Sequence, residues 1–140
     1  IPLCKEGMDE VGRDDFDIVA YTCFSVDDDS NKAKNAAKIV VGFIVAGSPD
    51  LVFKRHNIDL EDVKKIREAL GRFDFGTLKK SVTDEMLNAF SICGSPDECI
   101  AKIGKLYDVG VTQIVAGSPV GPNMEKSIKI IGEEIIKKEK

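Results

Sequence analysis

The chain has 140 residues, 43% of them apolar and 31% charged, with 20 basic against 24 acidic side chains. That length supports one domain with a real core, and the near balance of charge argues against nucleic acid or an anionic membrane as a partner. No run approaches the roughly 18 apolar residues that a membrane span needs.

In chain order, the opening IPLCKEGMDE has neither an initiator methionine nor the basic and apolar regions of a secretory signal. It reads as the middle of a longer chain. The four cysteines, Cys4, Cys23, Cys93 and Cys99, form no CxxC pair and no metal-type spacing. They are expected to be reduced thiols of a cytoplasmic protein, with no metal site.

DIVAYTCFSV, Asp17 to Val26, is rich in β-branched and aromatic residues and predicts a buried strand. The acids and serine that follow, Asp27 to Ser30, suit a helix N-terminus. Ala33, Ala36, Ala37, Val40, Val41, Ile44 and Val45 then step by three and four, which is one helix face. Gly47 is expected to end that helix, with Ser48 and Pro49 capping and opening a further short one. Asp59 and Asp62 open LEDVKKIREAL, which ends at Gly71. RFDFGTLKKSV reads as irregular, and Thr83 caps DEMLNAF. Three helices without an intervening strand predict an insertion over about residues 49–89.

A short strand is expected near FSIC. Ser95 as N-cap, Pro96 in the first turn and Glu98 three residues after the cap form a capping box for a helix ending at Gly110. Val111 to Ala116 reads as a buried strand, followed by a Gly-Ser-Pro turn. IVAGSP therefore occurs twice, from Ile44 and from Ile114, in different structural contexts, and marks no duplication. The closing segment places Ile128, Ile131 and Ile135 on one helix face before a solvated lysine-rich tail. Strands separated by helices require parallel pairing through crossovers, so the class is α/β. Three strands do not close a sheet, and the remainder is expected upstream.

Ligands of parallel α/β proteins bind at the C-terminal strand ends, so three turns are candidates: CFSVDDDS, CGSPDE and AGSPVGPN. In the last, two glycines precede a helix, which suits phosphate. Pro119 and Pro122 remove donors, however, and no Lys or Arg lies in the loop, which favours plain turn chemistry. The serine, proline and glutamate of CGSPDE are accounted for by the capping box. The three aspartates read as a solvated cap sooner than a cation site. His56 is the only histidine and has no neighbouring nucleophile motif, so a triad is not supported. Cys23 falls near a strand end, either as a core thiol or in contact with a ligand. No acid-base constellation emerges.

DIVAYTCFSVDDD, AAKIVVGFIVAGSPDLVFKRHNID and FSICGSPDECIAKIGKLYDVGVTQIVAGSPVGPNMEKSIKIIG, in that order, resemble the C-terminal part of the bacterial-luciferase-like (β/α)8 barrel superfamily. Within it, the resemblance is to the archaeal methylenetetrahydromethanopterin reductases. It implies the C-terminal portion of a TIM barrel with a helical insertion and its N-terminal half missing. It further implies an F420-dependent oxidoreductase of methanogenesis and one-carbon metabolism. Reduced coenzyme F420, an 8-hydroxy-5-deazaflavin, would pass a hydride to 5,10-methylenetetrahydromethanopterin. By the same resemblance Cys23, Phe24 and Ser25 after the first strand, and Gly117 and Ser118 after the last, line the coenzyme or pterin pocket; no residue takes a named catalytic role.

The implied partners are a tetrahydromethanopterin derivative, the N-terminal half of the barrel and further copies of the chain. The alternatives are another F420- or flavin-dependent member of the superfamily, or a non-catalytic half-barrel that binds a partner subunit.

Overall fold

The β-branched and aromatic run of the first predicted strand forms β1, Val19–Val26, and β1 is paired in parallel on both sides. The computed structural model describes residues 1–137, so positions 138–140 of the expected lysine-rich tail lie outside the described residues. Within that range β2 (Ser91–Gly94) flanks one side of β1 and β3 (Gln113–Val120) the other, in the order β2-β1-β3. The expected α/β class with parallel strands is therefore present. The order is not sequential, however: β2 and β3 lie on opposite sides of β1, whereas successive strands of an uninterrupted barrel lie side by side.

The helices are α1 (Pro2–Val11), α2 (Ser30–Gly47), α3 (Asp50–Arg55), α4 (Leu60–Gly71), α5 (Phe75–Ser81), α6 (Asp84–Phe90), α7 (Pro96–Asp108) and α8 (Met124–Ile130). A π-helical turn, Ile131–Ile136, continues α8.

Most boundaries follow from local chemistry. Asp29 caps α2 by accepting from the backbone N–H groups of Asn31 and Lys32, Asp59 caps α4, and Thr83 caps α6. The Ser95 and Glu98 capping box of α7 forms in both directions, and Gly110 follows the helix at φ 102, a left-handed backbone that glycine adopts freely.

Five expectations are corrected. Ser48 does not cap the next helix; it closes α2, donating its hydroxyl to the Ile44 carbonyl at 2.7 Å, while Pro49 precedes α3. RFDFGTLKKSV is not irregular, because Asp74 accepts from Thr77 N–H and opens α5, so four short helices separate α2 from β2. The Gly-Ser-Pro after Ala116 is no turn but the end of β3. Ile128 is exposed, and the buried pair is Ile130 and Ile135, whose spacing of five residues matches the π-helical turn between them. Finally, α1 was not anticipated; among the described residues it buries none of its side chains.

The strand period of two divides the core. Cys23 faces α2 and joins Ala37, Val41 and Val45 with Phe53, Ile66, Leu78 and Met86 from the helical excursion. Phe24 and Val26 face the other way, onto Ile92, Cys99 and Ile103 and onto Ile130 and Ile135. Each fully buried side chain of this size stabilises the fold by roughly 1.5–3 kcal/mol. Both faces of β1 are thus covered towards its C-terminal end. Towards its N-terminal end they are not, and Val19 and Tyr21 are 47% and 77% exposed.

Candidate functional site

A cavity of about 530 Å³ opens on the α2 side of the sheet. Tyr21, Thr22 and Cys23 from β1 and Ser118 from β3 line it, together with Val40 and Ile44 of α2 and Ala89 and Phe90 of α6. The lining is mostly apolar with a few hydroxyls, the pattern of small-molecule sites.

Two features of the backbone shape this cavity. At Gly117 a Cβ would come within 2.6 Å of the Thr22 carbonyl oxygen, so glycine lets β1 and β3 pair this closely, and the Tyr21 ring and hydroxyl lie 3.2 Å from the same position. Beyond it the register slips: Cys23 opposes Gly117, but Ser25 opposes Val120, leaving one extra residue in β3. Val120 takes φ 71, a left-handed backbone that a β-branched residue adopts only at a cost of roughly 1–2 kcal/mol. Bulges and such strained residues occur where a side chain must be re-aimed, and here the exposed side chain at the slip is Ser118.

The five sequence candidates are not all brought together. Cys23 and Ser118 line the cavity, and Gly117 is buried beside it under Tyr21. Phe24 points to the opposite face and lines a second cavity of about 310 Å³ with Ile103, Tyr107 and Ile114. Ser25 is fully buried and donates to the Ala33 carbonyl at 2.7 Å, tying β1 to α2. Sequence reasoning missed Tyr21, Thr22 and Phe90. For Tyr21 a signal was available, since it stands two residues before Cys23 and so on the same strand face.

Burial raises the Cys23 thiol to about 12, so it stays protonated at neutral pH and is no nucleophile. Its sulfur lies 4.0 Å from the Ala37 carbonyl oxygen. The three aspartates at the end of β1 divide their work. Asp29 caps α2, whereas Asp27 is buried, against the expectation of a solvated run. The Asp27 carboxylate accepts from Asp29 N–H and from Lys126 Nζ at 3.1 Å, and the first of these contacts is the larger cause of its lowered pKa. Lys126 also reaches Asp28 at 2.8 Å, and Ser127 donates to the Val26 carbonyl, so the loops after β1 and β3 are joined by the chain's own cation. His56 ends α3 and packs its ring 5.9 Å from that of Phe90. Among the described residues no cluster of His, Cys, Asp and Glu is placed to hold a metal ion, and no helix is long and apolar enough to cross a membrane.

The family model described as luciferase-like monooxygenase matches residues 1–113. The chain belongs to that family. Among proteins similar to this luciferase-like chain are 5,10-methylenetetrahydromethanopterin reductases from Methanolobus tindarius and Archaeoglobus fulgidus. The first is 59% identical over 133 residues, covering 93% of this chain and 41% of the relative. The second is 55% identical over 140 residues, covering 97% and 41%. A solved structure of the coenzyme F420 dependent tetrahydromethanopterin reductase from Methanopyrus kandleri superposes with a TM-score of 0.96 at 52% identity, covering 99% of this chain and 41% of that one. The chain therefore spans about two fifths of the length of the relatives it matches.

Proposed function

We propose that this chain is the C-terminal portion of a luciferase-like (β/α)8 barrel, acting in the cytoplasm as part of an F420-dependent 5,10-methylenetetrahydromethanopterin reductase. The observation that carries the reading is the TM-score of 0.96 over 99% of the chain at 52% identity to a protein of that activity. The uncovered end of the sheet supports the partial barrel, because Val19 and Tyr21 present an apolar face that upstream strands would cover.

Reduced coenzyme F420 would supply a hydride, which its pterin partner accepts at the methylene carbon. The residues of this chain that would hold one of the two rings are Cys23, Gly117 and Ser118, at the cavity on the α2 side. The fit is chemical. Val40, Ile44 and Phe90 give a dry wall, which hydride transfer between aligned rings requires, and Ser118 offers a hydroxyl to a ring edge. The Cys23 thiol, held protonated, adds apolar surface and no nucleophile. Phe24 and Ser25 act indirectly, by fixing β1 between its two helix layers. The Lys126 ion pairs hold the β1 and β3 loops in register at the same end of the sheet.

The test follows deazaflavin reoxidation with the chain alone, and then mixed with the upstream portion of the barrel, in the presence of methylenetetrahydromethanopterin. Turnover in the mixture and not with the chain alone is the expected result. A well-folded mixture that binds neither compound would remove the reading in favour of a non-catalytic partner-binding role.

A further inference from the structure

The C-terminal end of the sheet is braced by contacts between distant segments. Asp27, directly after β1, is 5% exposed, and its backbone N–H donates to the carbonyl of Gly94, the last residue of β2, at 3.3 Å. Its carboxylate accepts from Lys126 Nζ at 3.1 Å, and Lys126 stands in the first turn of α8. Beside it Ser127 donates to the Val26 carbonyl at 2.8 Å. Gly121 passes close to the same carbonyl, where a Cβ would come within 2.6 Å of the oxygen. The exit of β3 is therefore fixed to the end of β1 at Gly121, Lys126 and Ser127. These contacts lie at the covered end of β1, away from Val19 and Tyr21.

Between this anchor and the regular pairing of Cys23 with Gly117 lies the register slip. Ser25 opposes Val120, so Ser118 and Pro119 span what Phe24 alone spans on β1. Val120 takes φ 71, which a β-branched residue adopts only at a cost, so the local sequence does not favour the slip. Such a conformation persists where its surroundings over-determine it. Here the constraint comes from both ends, the strand pairing on one side and the Asp27 anchor on the other. A buried ion pair is weak evidence for stability, and fixing register is its best-attested use.

We propose that Asp27 is a positioning residue: through Lys126 it pins the exit of β3 and so holds the bulge that aims the Ser118 side chain at a ligand. This deepens the reading of the site given above and rests on it, with Ser118 as the group that meets the edge of a deazaflavin or pterin ring. Asp28 pairs with the same amine, but its carboxylate is 63% exposed and screened by solvent, so it contributes less.

The test assays the assembled barrel, this chain with its upstream portion, with reduced coenzyme F420 and methylenetetrahydromethanopterin, reading kcat and KM for each. Asp27→Asn keeps the volume and an acceptor for Asp29 N–H while weakening the hold on Lys126. Lys126→Gln breaks the pair from its more exposed partner, and serves if Asp27→Asn does not fold. Circular dichroism establishes that each variant is folded at the assay temperature.

The expected result is a kcat/KM lower by about threefold to tenfold in Asp27→Asn, Lys126→Gln and Ser118→Ala alike, the worth of one hydrogen bond. Lys126→Arg recovers most of the loss. The substrate whose KM rises is the one that Ser118 meets. Combining Asp27→Asn with Ser118→Ala costs no more than either alone, within about twofold, whereas a merely structural role would multiply the two losses. Multiplied losses, parent-like activity of Asp27→Asn or Ser118→Ala, or failure of both pair variants to fold overturns this inference and leaves the function reading intact. Absence of turnover with the parent chain in the assembled barrel overturns both.

Discussion

Glu98 and Lys34 meet at 2.8 Å, joining the first turn of α7 to the N-terminal part of α2. The same carboxylate accepts from the Ser30 hydroxyl and from Ser95 N–H. One side chain thus closes its own helix cap and fastens two helices that lie on opposite faces of the sheet.

That convergence makes stability depend on acid. The hydrogen bond from Lys34, then those from Ser30 and Ser95, hold Glu98 down at about 2 against an ordinary 4.5. A depressed folded value means that the contribution is complete above about pH 4.5, declines as pH falls and is gone near pH 2. The side chain is 44% exposed, so solvent and salt reduce the effect. Urea midpoints of the parent and of Glu98→Gln should differ at pH 6, draw together as pH falls below about 4.5 and converge only near pH 2; an unchanged gap would refute the linkage.

Gly42 sets two effects against each other. Alanine is favoured over glycine inside a helix by about 1 kcal/mol. A Cβ here, however, would run into the side chain of Leu78, which is fully buried between α2 and α5. Overpacking a filled core costs typically 1–3 kcal/mol, so the clash should win by about 1 kcal/mol. Gly47, with open space around it in the same helix, provides the contrast. Thermal melts should show Gly42→Ala less stable than the parent and Gly47→Ala not; a stabilised Gly42→Ala would show that Leu78 moves aside freely.

Arg67 ends α2 from a distance. Its guanidinium donates to the Ala46 and Ser48 carbonyls at 3.3 and 2.8 Å, pairs with Asp50 at 3.1 Å and lies 5.8 Å from the Phe53 ring centre. Lysine has no planar fork to reach these groups at once. Arg67→Lys should cost about 1 kcal/mol in denaturant unfolding, and Asp50→Asn, which removes only an exposed pair, less than half of that. Equal losses would mean that the ion pair, not the carbonyl contacts, dominates.

Thiol chemistry should sort the four cysteines by burial. Cys4 is exposed, Cys93 is partly buried, and Cys23 and Cys99 are buried with thiols raised to about 12. In the native chain at pH 8 a disulfide-exchange reagent should modify Cys4 quickly, Cys93 slowly, and Cys23 and Cys99 only after unfolding. Fast modification of Cys23 in the native chain would show that the cavity opens to its sulfur.

Ranges, caps and class were legible from local chemistry. Asp29, Asp59, Thr83 and the Ser95 and Glu98 box act through hydrogen bonds spanning two or three residues, which sequence spacing displays directly. The alternation of apolar helix faces with β-branched runs likewise sufficed for parallel α/β. The luciferase-like membership was legible as well, because its motifs are contiguous strings.

Contacts between distant segments decided the rest. IVAGSP is a helix end at Ile44–Ser48 and a strand at Ile114–Pro119, since the first copy packs in the excursion core while the second pairs with β1. The partner of the buried Asp27 carboxylate is Lys126, 99 positions away, and the close approach of β3 to the Thr22 carbonyl depends on Gly117. The division of Cys23 and Phe24 between two cavities follows from the strand period, but what covers each face comes from α2 on one side and α7 with α8 on the other. A local hydrogen bond is encoded by its neighbours; burial is encoded by whichever segments arrive, and only the assembled fold brings them together.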